Sequence, residues 1–73
     1  MEPKLKYKFC DNLGDSADKL ALYLGIPLRE RKAWQAGREC EEILEWLKNR
    51  DRLGELPEAL VEIGREDLVD LIS

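Results

Sequence analysis

Residues 40–47, Cys-Glu-Glu-Ile-Leu-Glu-Trp-Leu, decide the fold of this chain. Apolar residues recur in this stretch at intervals of three and four, which is the spacing of one buried stripe along a helix. The stripe consists of Cys40, Ile43, Leu44 and Leu47. Acidic residues fill most of the other positions and would face water. The pattern therefore predicts a helix that packs one face against a core.

The same spacing predicts three helices upstream of this stretch. They cover residues 4–13, 17–24 and 27–37, and the third contains the basic stretch with Arg29, Arg31 and Lys32. The second helix has Asp15 or Ser16 as its N-cap and ends at Gly25. Pro27 begins the third helix, where its missing N–H carries no cost.

Two further helices follow downstream. The stripe of Leu53, Leu56, Leu60 and Ile63 predicts a fifth helix with Pro57 in its first turn. Residues 65–72 predict a sixth, which buries Leu68, Leu71 and Ile72. The chain is therefore expected to form one domain over residues 1–73, because so short a chain cannot divide its core in two.

The composition excludes several classes of function. The chain has 73 residues, of which 38% are charged and 44% hydrophobic, and it contains no histidine. A histidine-based triad or zinc site is thus excluded. We expect no catalytic residue, cofactor, metal or small-molecule substrate. Because two cysteines are too few for a disulfide framework, Cys10 and Cys40 are predicted to be free thiols. No apolar run is long enough to span a membrane, so we expect a cytoplasmic protein that does not bind membranes.

Charge is divided unevenly along the sequence. Residues 1–38 hold eight basic and five acidic residues, a net charge of +3, whereas residues 39–73 hold four basic and eleven acidic residues, a net charge of −7. Such an asymmetry is typical of surfaces that meet a partner of opposite sign, although ordinary solvated helix faces also produce it.

Four short motifs are arranged along the chain in the order typical of one superfamily. They are Leu24-Gly25-Ile26, Ile43-Leu44-Glu45-Trp46-Leu47, Leu56-Pro57-Glu58-Ala59-Leu60 and Gly64-Arg65-Glu66-Asp67-Leu68. The ordered set resembles the death-fold superfamily, with the death domain first and the death effector domain second. The resemblance implies a compact six-helix antiparallel bundle, excised from a larger protein, with Trp46 in its core. Arg31 departs from the family pattern, which has an apolar residue near this position.

The resemblance also implies a function. Death-fold domains associate with one another and thereby oligomerise the signalling effectors attached to them, so the expected partner is another death-fold domain. A basic surface of Arg29, Arg31, Lys32 and Arg38 is expected to contact an acidic surface of Glu41, Glu42, Glu45, Glu55 and Glu58 on a neighbour. Arg65 and Asp67 are expected either to join a surface charge network with Glu2, Asp11 or Asp15, or to have a purely structural role.

A second resemblance covers residues 17–37, which are similar to the helix-turn-helix of small repressors. Residues 27–34 would then form a recognition helix that carries Arg29, Arg31 and Lys32 into the major groove of DNA. A sequence pI of about 4.8 argues against this alternative, because affinity for DNA comes largely from phosphate neutralisation. We therefore expect no binding to nucleic acid.

Overall fold

The helix predicted around residues 40–47 forms over Glu39–Asn49, and the rest of the chain is built around it. A computed structural model describes residues 2–72, within which every regular element is helical. Its α-helices are α1 (Pro3–Leu13), α2 (Ala17–Leu24), α3 (Leu28–Lys32), α4 (Glu39–Asn49), α5 (Leu56–Glu62) and α6 (Val69–Ile72). The all-α prediction is confirmed. Five of these are helices of five residues or more, and α6 is a single turn, so the expected six helices are reached only by counting that turn.

The predicted helices over residues 53–63 and 65–72 both begin later than expected. Leu53–Glu55 and Glu66–Leu68 are 3-10 turns that lead into α5 and α6. Leu53 is 41% exposed and is not part of the core, whereas Leu56 and Leu60 are buried as predicted. Pro57 lies in the first turn of α5, as predicted.

The third helix is much shorter than predicted. It ends at Lys32, and Pro27 is its N-cap residue rather than its first residue. None of the five residues of α3 is buried. The helix is therefore held in place by contacts other than a buried apolar stripe.

The core lies between α1, α2, α4 and α5, with Leu68 closing one side. Phe9, Leu13, Leu20, Ile43 and Leu47 are each 0% exposed. Helix α2 packs against both α4 and α5, and α1 packs against α4 and α6. Gly25 ends α2 in the left-handed conformation at φ 77°, which confirms the predicted stop and explains the glycine.

The two cysteines form a disulfide, so the prediction of free thiols is wrong. Cys10 of α1 and Cys40 of α4 are 30 residues apart in sequence, and their Cα atoms are 5.5 Å apart. That separation is ordinary for a disulfide. It arises because α1 and α4 pack side by side, an arrangement that the spacing of the cysteines could not reveal.

The described helices are all short. The longest of those described have 11 residues, and none of them is long and apolar enough to cross a bilayer.

Candidate interaction surface

A network of polar contacts joins α3 to α4. The indole Nε1 of Trp46 donates a hydrogen bond to the Glu30 carboxylate, and the Arg50 guanidinium donates a second to the same carboxylate at 3.3 Å. Trp46 and Arg50 are one turn apart on α4, so a single acid on α3 reaches both of them. The side chain of Glu30 therefore supplies the attachment that the missing apolar stripe does not.

Trp46 is also contacted by two guanidinium groups. The Cζ atom of Arg50 lies 4.2 Å from the centre of the indole ring, and that of Arg52 lies 5.1 Å from it. Both distances are typical of cation–π contacts. Arg52 also binds the Glu55 carboxylate at 2.7 Å. The resemblance implied that Trp46 lies in the core, but the side chain is only half-buried and packs against the edge of the core.

A groove of about 330 Å³ opens between α3 and α4 beside this network. We call it the α3–α4 groove. Its charged lining consists of Glu30, Glu42, Glu45 and Arg50, and its aromatic lining consists of Trp34 and Trp46. Both tryptophans of the chain thus face one site. Arg50 neutralises Glu30, and within residues 2–72 neither Glu42 nor Glu45 forms an ion pair.

The predicted basic residues occupy three different environments. Arg29 and Lys32 are exposed on α3 and form no ion pair within the described part of the chain. Arg31 is half-buried, and its Nε atom is out of contact with water and has no hydrogen-bond partner within residues 2–72. Arg38 is bound to Glu41 at 2.7 Å. The basic surface available to a partner is therefore centred on Arg29 and Lys32, which we call the α3 basic edge.

The predicted acidic residues do not form one surface. Glu42 and Glu45 line the α3–α4 groove, whereas Glu41 lines a cleft with Lys6 and Tyr7 of α1. Glu55 and Glu58 lie near Tyr23. Burial is the main cause that raises the pKa of the Tyr23 phenol, and these carboxylates raise it further. The hydrogen bond from Arg38 lowers the pKa of Glu41, and that from Arg52 lowers the pKa of Glu55. Glu41 and Glu55 are thus already paired with arginines of the same domain.

Arg65 joins the α5–α6 connection to the end of α1. Its guanidinium donates to the main-chain oxygens of Asn12 and Leu13 at 2.8 and 3.3 Å, and to the Ser16 hydroxyl at 2.8 Å. It also pairs with Asp67, and this hydrogen bond lowers the pKa of that carboxyl group. Ser16 therefore accepts from Arg65, and neither it nor Asp15 caps α2 through its side chain.

This position supports the structural alternative for Arg65. The last carbonyls of a helix have no partner within it, and a cation there also interacts favourably with the helix dipole. Within residues 2–72, Arg65 pairs with Asp67 and with none of Glu2, Asp11 and Asp15.

The α3–α4 groove was not predicted from the sequence. Glu30 and Trp46 are 16 residues apart, and no helical periodicity connects them. Two signals were present: Glu30 is the one acid in the basic stretch 28–32, and Trp46 and Arg50 have the i, i+4 spacing that places them on one helix face.

The described residues indicate neither a metal site nor the recognition helix of the DNA-binding alternative. No group of three or more acidic or cysteine side chains within residues 2–72 is arranged to hold a metal. The recognition helix of the DNA-binding alternative would need residues 27–34, but α3 ends at Lys32 and leaves Trp34 outside it.

Comparisons with known proteins agree with this architecture. No curated protein and no solved structure matches the chain. One family, described as Bacterial Death-like domain 3, matches residues 3–73, which is nearly the whole sequence. The all-α fold, the ordered motifs and this match lead to one conclusion: the chain belongs to the bacterial death-like domain 3 family.

Proposed function

We propose that this domain associates with other death-fold domains, copies of itself included, and so clusters effectors of cell-death or immune defence signalling. The observation that carries the proposal is the family match over residues 3–73, since death-like domains are protein-interaction modules. The described residues offer no metal cluster, and the α3–α4 groove is shallow and open, so an interaction role fits this surface better than catalysis.

The distribution of charge supports self-association. The α3 basic edge carries two unpaired cations, while Glu42, Glu45 and Glu58 are carboxylates without an ion pair within residues 2–72. Opposite charges on different faces of one molecule are complementary between copies. A contact of this kind joins two unlike surfaces, so it generates a ring or an open helical assembly.

Light scattering at several hundred micromolar protein tests the proposal. We expect concentration-dependent assembly of the unmodified domain that weakens when salt is raised, because exposed charges are screened. The Arg29→Glu/Lys32→Glu double variant should weaken assembly strongly. Lys8→Glu/Lys19→Glu is the matched control, because these lysines are exposed on α1 and α2 and have no ion pair in the described chain. A domain that stays monomeric and binds no other death-fold domain would contradict the proposed function.

A further inference from the structure

We infer that the α3–α4 groove is the acceptor site for Arg29 and Lys32 of a second copy of this chain. This inference rests on the proposed self-association and specifies the two surfaces that meet. It replaces the five acids predicted from the sequence with two, Glu42 and Glu45.

The groove has the chemistry that binds a cationic side chain. Its three carboxylates face one guanidinium, and that guanidinium is already bound to Glu30. Glu42 and Glu45 lie one turn apart on α4, so both can bind the same cation or two adjacent ones. Trp34 adds an aromatic surface on which an arginine or lysine side chain can stack. Of the acids predicted as acceptors, only Glu42 and Glu45 line this groove together with both tryptophans.

The α3 basic edge cannot occupy the groove of its own molecule. Successive residues of a helix are rotated by about 100°, so Arg29 and Lys32 lie well away from Glu30 around the axis of α3. Glu30 lines the groove, and neither Arg29 nor Lys32 does. The occupant must come from another molecule, and each copy offers one acceptor, with its free carboxylates on α4, and one donor on α3. Such a contact repeats from copy to copy.

Neutral substitutions on each side test the pairing. Glu42→Gln/Glu45→Gln removes the acceptor charges, and Arg29→Gln/Lys32→Gln removes the donor charges, with little change in side-chain shape. We expect each variant to self-associate at least about tenfold more weakly than the unmodified domain, since every tenfold corresponds to about 1.4 kcal/mol of binding free energy. Glu58→Gln/Glu62→Gln is the matched acidic control, because both residues are exposed on α5 and neither lines the groove.

Mixing the two double variants gives the sharper result. Each retains one functional side, so the mixture should form a one-to-one complex that cannot grow further. Both tryptophans of the chain line the groove, so filling the groove of the Arg29→Gln/Lys32→Gln copy should change the intrinsic fluorescence of the mixture relative to the sum of the two separate variants. Melting curves by circular dichroism establish that each variant is folded before it is compared.

The outcomes separate this inference from the proposed function. If the unmodified domain associates and Glu42→Gln/Glu45→Gln does so equally well, the groove is not the acceptor and the inference is wrong, while the proposed function stands. If the groove variant loses association but Arg29→Gln/Lys32→Gln does not, another basic segment such as the α1 lysines is the occupant, and this pairing is also wrong. If the unmodified domain does not associate with itself, this inference is wrong, and the proposed function is contradicted as well if the domain binds no other death-fold domain.

Discussion

Glu30 and Arg65 are single side chains that each join segments far apart in the chain. Glu30 attaches the exposed helix α3 to Trp46 and Arg50 of α4. Arg65 binds the last carbonyls of α1 from the start of the final segment. Each is charged, and each satisfies polar groups that would otherwise lack a partner. The Glu30 contacts hold a helix that contributes no buried side chain, whereas the Arg65 contacts reinforce segments that already meet in the core through Leu13 and Leu68.

Substitution of Glu30 should reveal what attaches α3. Glu30→Ala leaves the half-buried indole N–H without an acceptor, which should lower the free energy of unfolding by about 1–3 kcal/mol. Glu30→Gln keeps an acceptor oxygen and loses only the partly exposed pairing with Arg50, so its loss should be below about 1 kcal/mol. Urea unfolding followed by tryptophan fluorescence measures both. Lys32→Ala on the same helix is the control, and a loss equal to that of Glu30→Ala would show that α3 is held by another contact.

Substitution of Arg31 should stabilise the domain, because its buried Nε atom has no partner among residues 2–72. An unpaired buried donor costs about 1–3 kcal/mol, so Arg31→Met, which retains an apolar stem, should raise the free energy of unfolding by about 1 kcal/mol. Denaturant unfolding checks the sign. Arg29→Met at an exposed position serves as the comparison. A destabilised Arg31→Met domain would mean that this guanidinium forms a bond in solution.

The helices differ in how firmly they are held. Helices α1, α2, α4 and α5 each contribute completely buried side chains, whereas α3 contributes none and depends on Glu30. Between α1 and α4 the apolar contact is reinforced by the disulfide from Cys10 to Cys40. The firm elements form the scaffold, and the least buried helix carries the α3 basic edge and one wall of the groove.

Reduction of the disulfide should destabilise the domain substantially. Closing a loop of about 30 residues restricts the unfolded chain, and by the loop-entropy relation this contributes about 3–4 kcal/mol. A domain of this size has about 4–11 kcal/mol of stability in all. Dithiothreitol, or the Cys10→Ser/Cys40→Ser variant, should therefore shift the urea midpoint to a much lower concentration. Thiol titration of the unfolded, unreduced protein should find no free thiol, and two titratable thiols would contradict the pairing.

Local periodicity was enough to predict α1 and α2 to within one residue and α4 to within two, because each buries a regular apolar stripe. Helix α3 was predicted too long, because the prediction continued it to Gly37, whereas the helix ends at Lys32 and no buried apolar stripe marks that end. The disulfide and the α3–α4 groove could not be predicted in this way. Each joins residues 16 to 30 positions apart, such as Glu30 with Trp46, and their proximity depends on how whole helices pack. The charges in the sequence likewise indicated that residues 39–73 are acidic. They did not reveal that Glu41 and Glu55 are bound to arginines within the domain.

The charge network makes the stability of the whole domain dependent on pH. The pKa values of Glu41, Glu55 and Asp67 are lowered, in each case mainly by a hydrogen bond from an arginine. A carboxyl group whose pKa is lowered by folding stabilises the fold above its unfolded pKa, and this contribution disappears as pH falls through the folded value. The unfolded values are about 3.9 for Asp and 4.3 for Glu. Stability should therefore be constant from neutral pH to about pH 5 and decrease below about pH 4.

Arginine substitution separates this effect from general acid unfolding. Arg38→Gln returns the pKa of Glu41 toward its ordinary value, so the variant should lose less stability than the unmodified domain between pH 5 and pH 3, as measured by thermal melts. The difference should be small, because Glu41 is substantially exposed and salt screens the pair. Arg29→Gln removes the same charge without breaking an ion pair seen in residues 2–72, and its acid dependence should match that of the unmodified domain. If the two variants respond to acid alike, net charge controls the transition and the individual pairs do not.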